Sequence, residues 1–296
     1  MEESSERTNQ YIKLVEYLYN GKKQNLNDQE QYKCRFCGRT KTRNEFRDIA
    51  HAVSESIGNK SIITHYECDE CNKHFSENEE NELGKLFKFI KANRSLKGKK
   101  GKINHNKNVD INYDDTTKQM DVKIKEFYDK NFFIKLYKDC NDNGKMILVN
   151  NIQINGRLIY KAFLKFALSV IPEDKTPDFE KCFEFLKNDD GQKKLIVNFI
   201  LYKELQRDYK ITIYENTILE SGTPKYIGLI DLYQLSCVIF LDFNDKYNYL
   251  PHIMMPECLG LDKSKIYSTY YADYSSTEKI IQQKEEIDGQ IKNLNF

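Results

Sequence analysis

The chain has 296 residues, of which 40% are hydrophobic and 31% charged, with a net charge of only +1. It has enough apolar residues to bury a core, and no apolar run reaches the length of about eighteen that a membrane span needs. The acidic start Met1-Glu2-Glu3-Ser4-Ser5-Glu6 has no apolar stretch behind it, so no secretory signal and a cytoplasmic location are expected.

Within residues 1–30, Ile12, Leu14, Val15, Leu18 and Tyr19 fall at helical spacing and predict a short amphipathic helix over Asn9 to Asn20. Residues 31–95 hold the cysteine-bearing segment. It closes with Leu83, Leu86, Phe87, Phe89 and Ile90 at three- and four-residue steps, which predict a helix to about Asn93. Residues 96–110, with Gly98, Gly101 and several lysines, read as a basic linker.

Residues 111–296 read as a larger α+β domain. Strands are predicted over Val122 to Phe127, Phe132 to Tyr137 and Met146 to Ile154, with a turn at Asn141-Asp142-Asn143-Gly144. Helices are predicted over Arg157 to Ile171, ending at Pro172, and over Phe179 to Leu186. Leu195 to Leu201, Ile211 to Tyr214 and Tyr226 to Phe240 are β-rich, and Ser276 to Leu294 reads as a closing helix.

The charge is unevenly placed. Residues 1–108 carry 21 Lys/Arg against 16 Asp/Glu, and the remainder 25 against 29. From Leu83 to Val109 nine cations occur without one acid. The bland reading is a solvated helix end and linker. The sharper one is phosphate contact through Lys91, Arg94, Lys97, Lys99, Lys100 and Lys102.

The strongest motif is a pair of CxxC sequences, Cys34-Arg35-Phe36-Cys37 and Cys68-Asp69-Glu70-Cys71, separated by 30 residues. Two such pairs present four thiolates to one tetrahedral Zn²⁺, and in a reducing compartment they favour metal over disulfide. Cys140, Cys182, Cys237 and Cys258 are scattered and read as ordinary thiols. Between the pairs sits His51, and directly after the last cysteine sits Asn72. Neither is needed to hold zinc. Phosphodiester hydrolysis needs a base near neutral pH, which histidine supplies, and a divalent cation, which an amide or carboxylate oxygen can ligate. Asn72 could equally be a helix cap. Glu79 reads as helix surface, and His65 and His74 as surface histidines.

Residues 34–90 resemble the HNH (ββα-metal) endonuclease family in its zinc-bound branch. The resemblance rests on Cys34-x-x-Cys37, on Ala50-His51-Ala52-Val53-Ser54-Glu55-Ser56-Ile57-Gly58-Asn59-Lys60, and on Glu67-Cys68-Asp69-Glu70-Cys71-Asn72-Lys73-His74-Phe75. It implies an α+β chain with an N-terminal zinc-stapled module followed by the larger domain. It also implies His51 as general base, structural Zn²⁺ on Cys34, Cys37, Cys68 and Cys71, and Mg²⁺ or Mn²⁺ held by Asn72. Many members of the family carry a ligand just before the base, where this chain has Ala50. If residues 48–51 are a strand, Asp48 shares the face of Ala50 and could supply the missing oxygen. Asn59 and His65 are both candidates for the family's middle asparagine, which orients the hairpin loop.

Two functions compete on these residues. One is a metal-dependent endonuclease acting on DNA, with RNA as a further possible substrate, in which the C-terminal domain supplies target choice, dimerisation or response to a partner subunit or activator. Family company suggests antiphage defence or restriction. The other is a non-catalytic zinc-ribbon module that binds nucleic acid or protein, and Ala50 is its best support. A cysteine redox site is disfavoured, because those occur as single CxxC motifs near a βαβ pattern.

Overall fold

In the computed structural model the described residues are 10–18, 22–26, 32–93, 109–114, 119–124, 132–138, 143–203, 210–218, 223–232, 235–241, 243 and 259–290. The fold is mixed α and β. By Cα proximity the chain divides into two units that are not linear blocks: residues 1–81 with 156–277, and residues 82–155 with 278–296.

The first unit is built on a six-stranded antiparallel sheet. Its strands are β1 (Tyr11–Leu18), β9 (Ile196–Tyr202), β10 (Lys210–Asn216), β11 (Tyr226–Leu232), β12 (Leu235–Phe240) and β13 (Ile266–Asp273). Their spatial order is β1-β10-β11-β12-β9-β13. The central strands are buried on both faces, so they read as continuous apolar runs and not as an alternating pattern. One face carries Tyr11, Ile200, Tyr214, Ile227, Leu229, Val238 and Leu259 as a core cluster. Helix α3 (Gly156–Val170) crosses β10 and β11, and α4 (Glu180–Lys187) packs against α3. Gly228 on β11 admits that helix. A Cβ there would lie 3.3 Å from the Ala167 methyl and 3.3 Å from Ile239 Cγ1, so a side chain would press on α3 and β12.

The helix expected over residues 9–20 is strand β1. It pairs with β10, from Tyr11 opposite Asn216 to Leu18 opposite Lys210, and the register slips between Lys13 and Val15. That bulge breaks the two-residue alternation and leaves the apolar side chains at three- and four-residue steps, which imitate a helix. The partner strand lies nearly two hundred residues away, so nothing local announces it.

The same unit contains a small sheet ordered β2-β4-β3, made of Gln24–Leu26 (β2), Ile62–Thr64 (β4) and Ala50–His51 (β3). β2 runs parallel to β4 and β3 antiparallel to it. Helix α1 (Asp69–Glu77) follows at the second CxxC, and then α2 (Glu79–Asn93). The boundary between the two units falls within α2.

The second unit holds the hairpin β5 (Val109–Asp114) and β6 (Gln119–Ile124). It also holds a sheet ordered β14-β8-β7, from Lys279–Gln290 (β14), Asn143–Ile154 (β8) and Phe132–Lys138 (β7). The closing helix expected over Ser276 to Leu294 is therefore β14, which pairs antiparallel with β8 from Lys279 opposite Ile154 to Gln290 opposite Asn143. Cross-strand pairing overrides the weak helical spacing of Ile280, Ile281 and Ile287. β8 starts inside the turn expected at residues 141–144, and β5 starts inside the linker expected over 96–110. The rest of that linker lies outside the described residues, with Arg94, Lys97, Lys99, Lys100 and Lys102. Lys91 belongs to α2. Among the described residues, no helix is long and apolar enough to cross a membrane.

Candidate active site

The two CxxC sequences meet. The Sγ atoms of Cys34, Cys37, Cys68 and Cys71 all lie within 4.8 Å of one another, and Cys34 and Cys71 are 3.7 Å apart. A tetrahedron with Zn–S bonds of about 2.3 Å has edges of about 3.8 Å, so the spacing and the four soft donors fit Zn²⁺. The first knuckle is closed by Gly38 N–H donating to the Cys34 carbonyl at 2.8 Å and by Cys34 N–H donating to the Arg39 carbonyl at 3.0 Å. Gly38 takes φ 72°, a left-handed turn that favours glycine. The second knuckle is the start of α1. Cys68 occupies its N-cap and Asn72 N–H donates to the Cys68 carbonyl at 2.9 Å, so both thiols sit at the positive end of the helix. Cations lie alongside, with Arg39 and Lys41 both bound to Glu70 at 2.6 and 2.7 Å. Hydrogen bonding from Cys71 pulls the Cys34 thiol down to about 4, while Cys34 holds the Cys71 proton on. Four sulfurs this close cannot all ionise without a cation between them.

His51 lies on β3 opposite Ile63 in β4. Its side chain is 18% exposed, and Nε2 lies 3.4 Å from Glu55 Oε1. Glu55 opens the short 3-10 turn Glu55–Ile57, which begins at Ser54, whose hydroxyl accepts from Ser56 N–H at 3.1 Å. The turn ends at Gly58 with φ 107°.

Asn59 follows, 0% exposed, and it staples the loop that leads back to β4. Its Nδ2 donates to the Val53 carbonyl at 2.7 Å and to the Ile62 carbonyl at 3.1 Å. Its Oδ1 accepts from Ser61 N–H at 2.9 Å and Ile62 N–H at 3.0 Å. One amide thus uses two donors and two acceptors to hold both arms of the turn. Of the two candidates for that job, His65 is exposed and Asn59 does it.

Asn72 is the fourth residue of α1 and half-buried, so the cap at this helix is Cys68 and not Asn72. Asp48 does not lie on a strand, because β3 begins at Ala50, and the face-sharing argument for it lapses. Asp48 is exposed and is held through its main chain: its N–H donates to Asp69 Oδ1 at 3.0 Å, and Arg47 N–H donates to Asp69 Oδ2 at 3.2 Å. Ala50 is 1% exposed and faces the interior, where a ligand could not reach solvent. His74 is exposed, with Nε2 3.6 Å from Glu79 Oε1. Glu79 is buried rather than a surface acid, and burial raises its pKa.

Two groups with no motif signal also touch this region. Arg35, inside the first CxxC, reaches the end of α3, and Lys165 of α3 reaches the carbonyl of His51 at 2.8 Å. The available sign was a row of cations four apart, Arg157, Lys161 and Lys165, in an otherwise apolar helix. No curated protein and no solved structure matches the chain. Residues 34–88 match the family model described as HNH endonuclease, and this stretch holds the four clustered cysteines together with His51, Asn59 and Asn72.

Proposed function

We propose that the protein is a metal-dependent endonuclease that hydrolyses phosphodiester bonds of DNA, with His51 as general base. The observation that carries this reading is His51 itself. It is partly exposed, set on a two-residue strand, and backed by a loop that Asn59 pins with four hydrogen bonds. In this reading His51 Nε2 takes a proton from the attacking water as its oxygen forms a bond to phosphorus. The bond from phosphorus to the leaving oxygen breaks, and that oxygen collects a proton from solvent. Glu55, beside Nε2, stabilises the ring once it is protonated. Asn72 would hold Mg²⁺ or Mn²⁺, whose chemistry is to neutralise charge on the phosphoryl group and the leaving oxygen. Zn²⁺ on the four cysteines would be a staple with no part in the chemistry. The cations Lys91, Arg94, Lys97, Lys99, Lys100 and Lys102 would contact backbone phosphates. We place the protein in the cytoplasm as a restriction or antiphage effector, acting as a homodimer or with a partner subunit.

The test is cleavage of supercoiled plasmid with Mg²⁺ or Mn²⁺ by wild type and His51→Ala. The expected loss is about 10²- to 10⁴-fold, the share of a general base, with zinc content and melting temperature retained. Equal cleavage by His51→Ala would remove His51 from the chemistry.

Buried Ala50 favours a second reading, a zinc module that binds nucleic acid without cutting it. Under that reading His51→Ala leaves DNA affinity intact, and wild type cuts with neither metal.

A further inference from the structure

Helix α3 lies outside the HNH stretch, yet its middle is bound into it. Lys165 is 1% exposed. Its Nζ lies 2.8 Å from the carbonyl oxygen of His51, 3.1 Å from Glu80 Oε1 and 3.2 Å from Glu67 Oε2. Two of its three donors are used in hydrogen bonds, to the His51 carbonyl and Glu80, and the contact to the buried Glu67 carboxylate is an ion pair without a hydrogen bond. The three partners come from three pieces of the module: the strand bearing His51, the residue preceding Cys68, and the start of α2.

Stability alone is a poor reason for such a group. A buried ammonium and two carboxylates must all be stripped of water, and apolar residues of similar volume usually serve the fold as well or better. Burial opposes the charge on Lys165, but Glu67 and Glu80 outweigh it and keep the group protonated. The arrangement does give the base a fixed position. β3 has only two residues, and so little ladder of its own to hold it. A charge-assisted hydrogen bond to the His51 carbonyl holds that strand at its catalytic residue and ties it to the second zinc knuckle through Glu67.

Resting on the reading of His51 as the base, we propose that Lys165 is a positioning residue for His51, and that α3 is thereby part of the nuclease site. Lys165 touches no substrate. It sets where the imidazole stands relative to the zinc-pinned helix α1.

The test uses the full chain. Lys165→Met alone strands the buried Glu67 and the partly buried Glu80 and can simply unfold, so the decisive variant is Lys165→Met with Glu67→Gln and Glu80→Gln. This variant removes the charges together and leaves the His51 carbonyl without its donor. Zinc per chain, melting temperature, DNA affinity, the single-turnover cleavage rate and the histidine-ring ¹H–¹⁵N signals are measured. The triple variant is expected to keep its zinc, its cooperative melting and its DNA affinity, the last to within about twofold. Its cleavage rate should fall by about 10- to 100-fold, the effect of a reacting group misplaced by about an ångström. The His51 ring signals should shift while those of His65 and His74 stay.

A triple variant that cleaves at the wild-type rate with unmoved His51 signals overturns the proposal. So does one that loses its zinc or its melting transition, because the role would then be structural only. If the wild type itself cuts with neither metal, the nuclease reading fails, and the ring signals still decide whether Lys165 sets the place of His51.

Discussion

Asn59 concentrates the construction of the site in one side chain. Its amide pairs four main-chain groups; the Ile62 carbonyl also accepts from Ala52 N–H at 3.1 Å, and the turn would otherwise bury the other three unpaired. Asn59→Ala strands those groups at about 1–3 kcal/mol each, so a loss of about 3 kcal/mol or more is expected in denaturant melts. Asn59→Asp keeps the two accepted bonds but turns a carboxylate toward two carbonyls, and it should do little better. A variant as stable as wild type would contradict the network.

A second buried residue sets a pH dependence. Asp231 on β11 accepts a hydrogen bond from Ser236 on β12, and burial pushes its pKa up to about 6. Because the folded value lies above the unfolded one, the fold favours the protonated acid. The stability tied to it is complete below about pH 4 and is lost as pH rises through about 6. Asp231→Asn is therefore expected to raise the melting temperature at pH 7.5, with the advantage shrinking to nothing near pH 4. A variant that melts lower at pH 7.5 would show that the ionised acid has a compensating partner.

At the scale of elements, α3 depends on the zinc knuckle as much as the site depends on α3. The last carbonyls of a helix lack intrahelical donors. Here Arg35, 2% exposed, donates Nη1 to the carbonyls of Leu168 and Ile171 at 3.1 and 2.8 Å, and Nη2 to Glu173 at 2.8 Å. Its guanidinium lies 3.8 Å from the centre of the Tyr66 ring, and the Tyr66 hydroxyl donates to the Ser169 carbonyl. Arg35→Met should destabilise the protein by about 2–4 kcal/mol, because two buried carbonyls lose a charged donor. Arg35→Lys should recover only part, since an ammonium cannot reproduce the fork or the ring stacking. Chemical denaturation of the three proteins checks the order, and full recovery by lysine would refute the role of the fork. Elements differ in how far the sequence shows them. α3 and α4 are legible because their apolar spacing is local and long. β1 and β14 are not: the bulge after Lys13 disguises one, and β8 defines the other from more than a hundred residues away.

Over the whole molecule the same distinction explains which parts of the site are readable. The four cysteines and His51 stand out in short spacings, because a pair of CxxC knuckles and a two-residue strand are local constructions. Lys165 and Arg35 carry theirs in contacts more than a hundred residues apart along the chain, which no spacing encodes. The HNH stretch is therefore expected to depend for its fold on residues outside it. Removed from residues 156–187 it would leave Arg35, Tyr66 and Glu67 without their partners, and Phe36 without Phe183, whose ring centre lies 6.0 Å away. Zinc binding contributes about 10–16 kcal/mol in small zinc-finger peptides, enough for residues 32–93 alone to take up the metal. That energy would organise the two knuckles. It would not replace the charged and apolar partners that α3 and α4 supply around His51. The isolated peptide is therefore expected to bind one zinc but to melt without a cooperative transition, whereas the full chain melts cooperatively. Calorimetry on the two zinc-loaded proteins makes the comparison, and a sharp transition in residues 32–93 would show that α3 is dispensable to the module it grips.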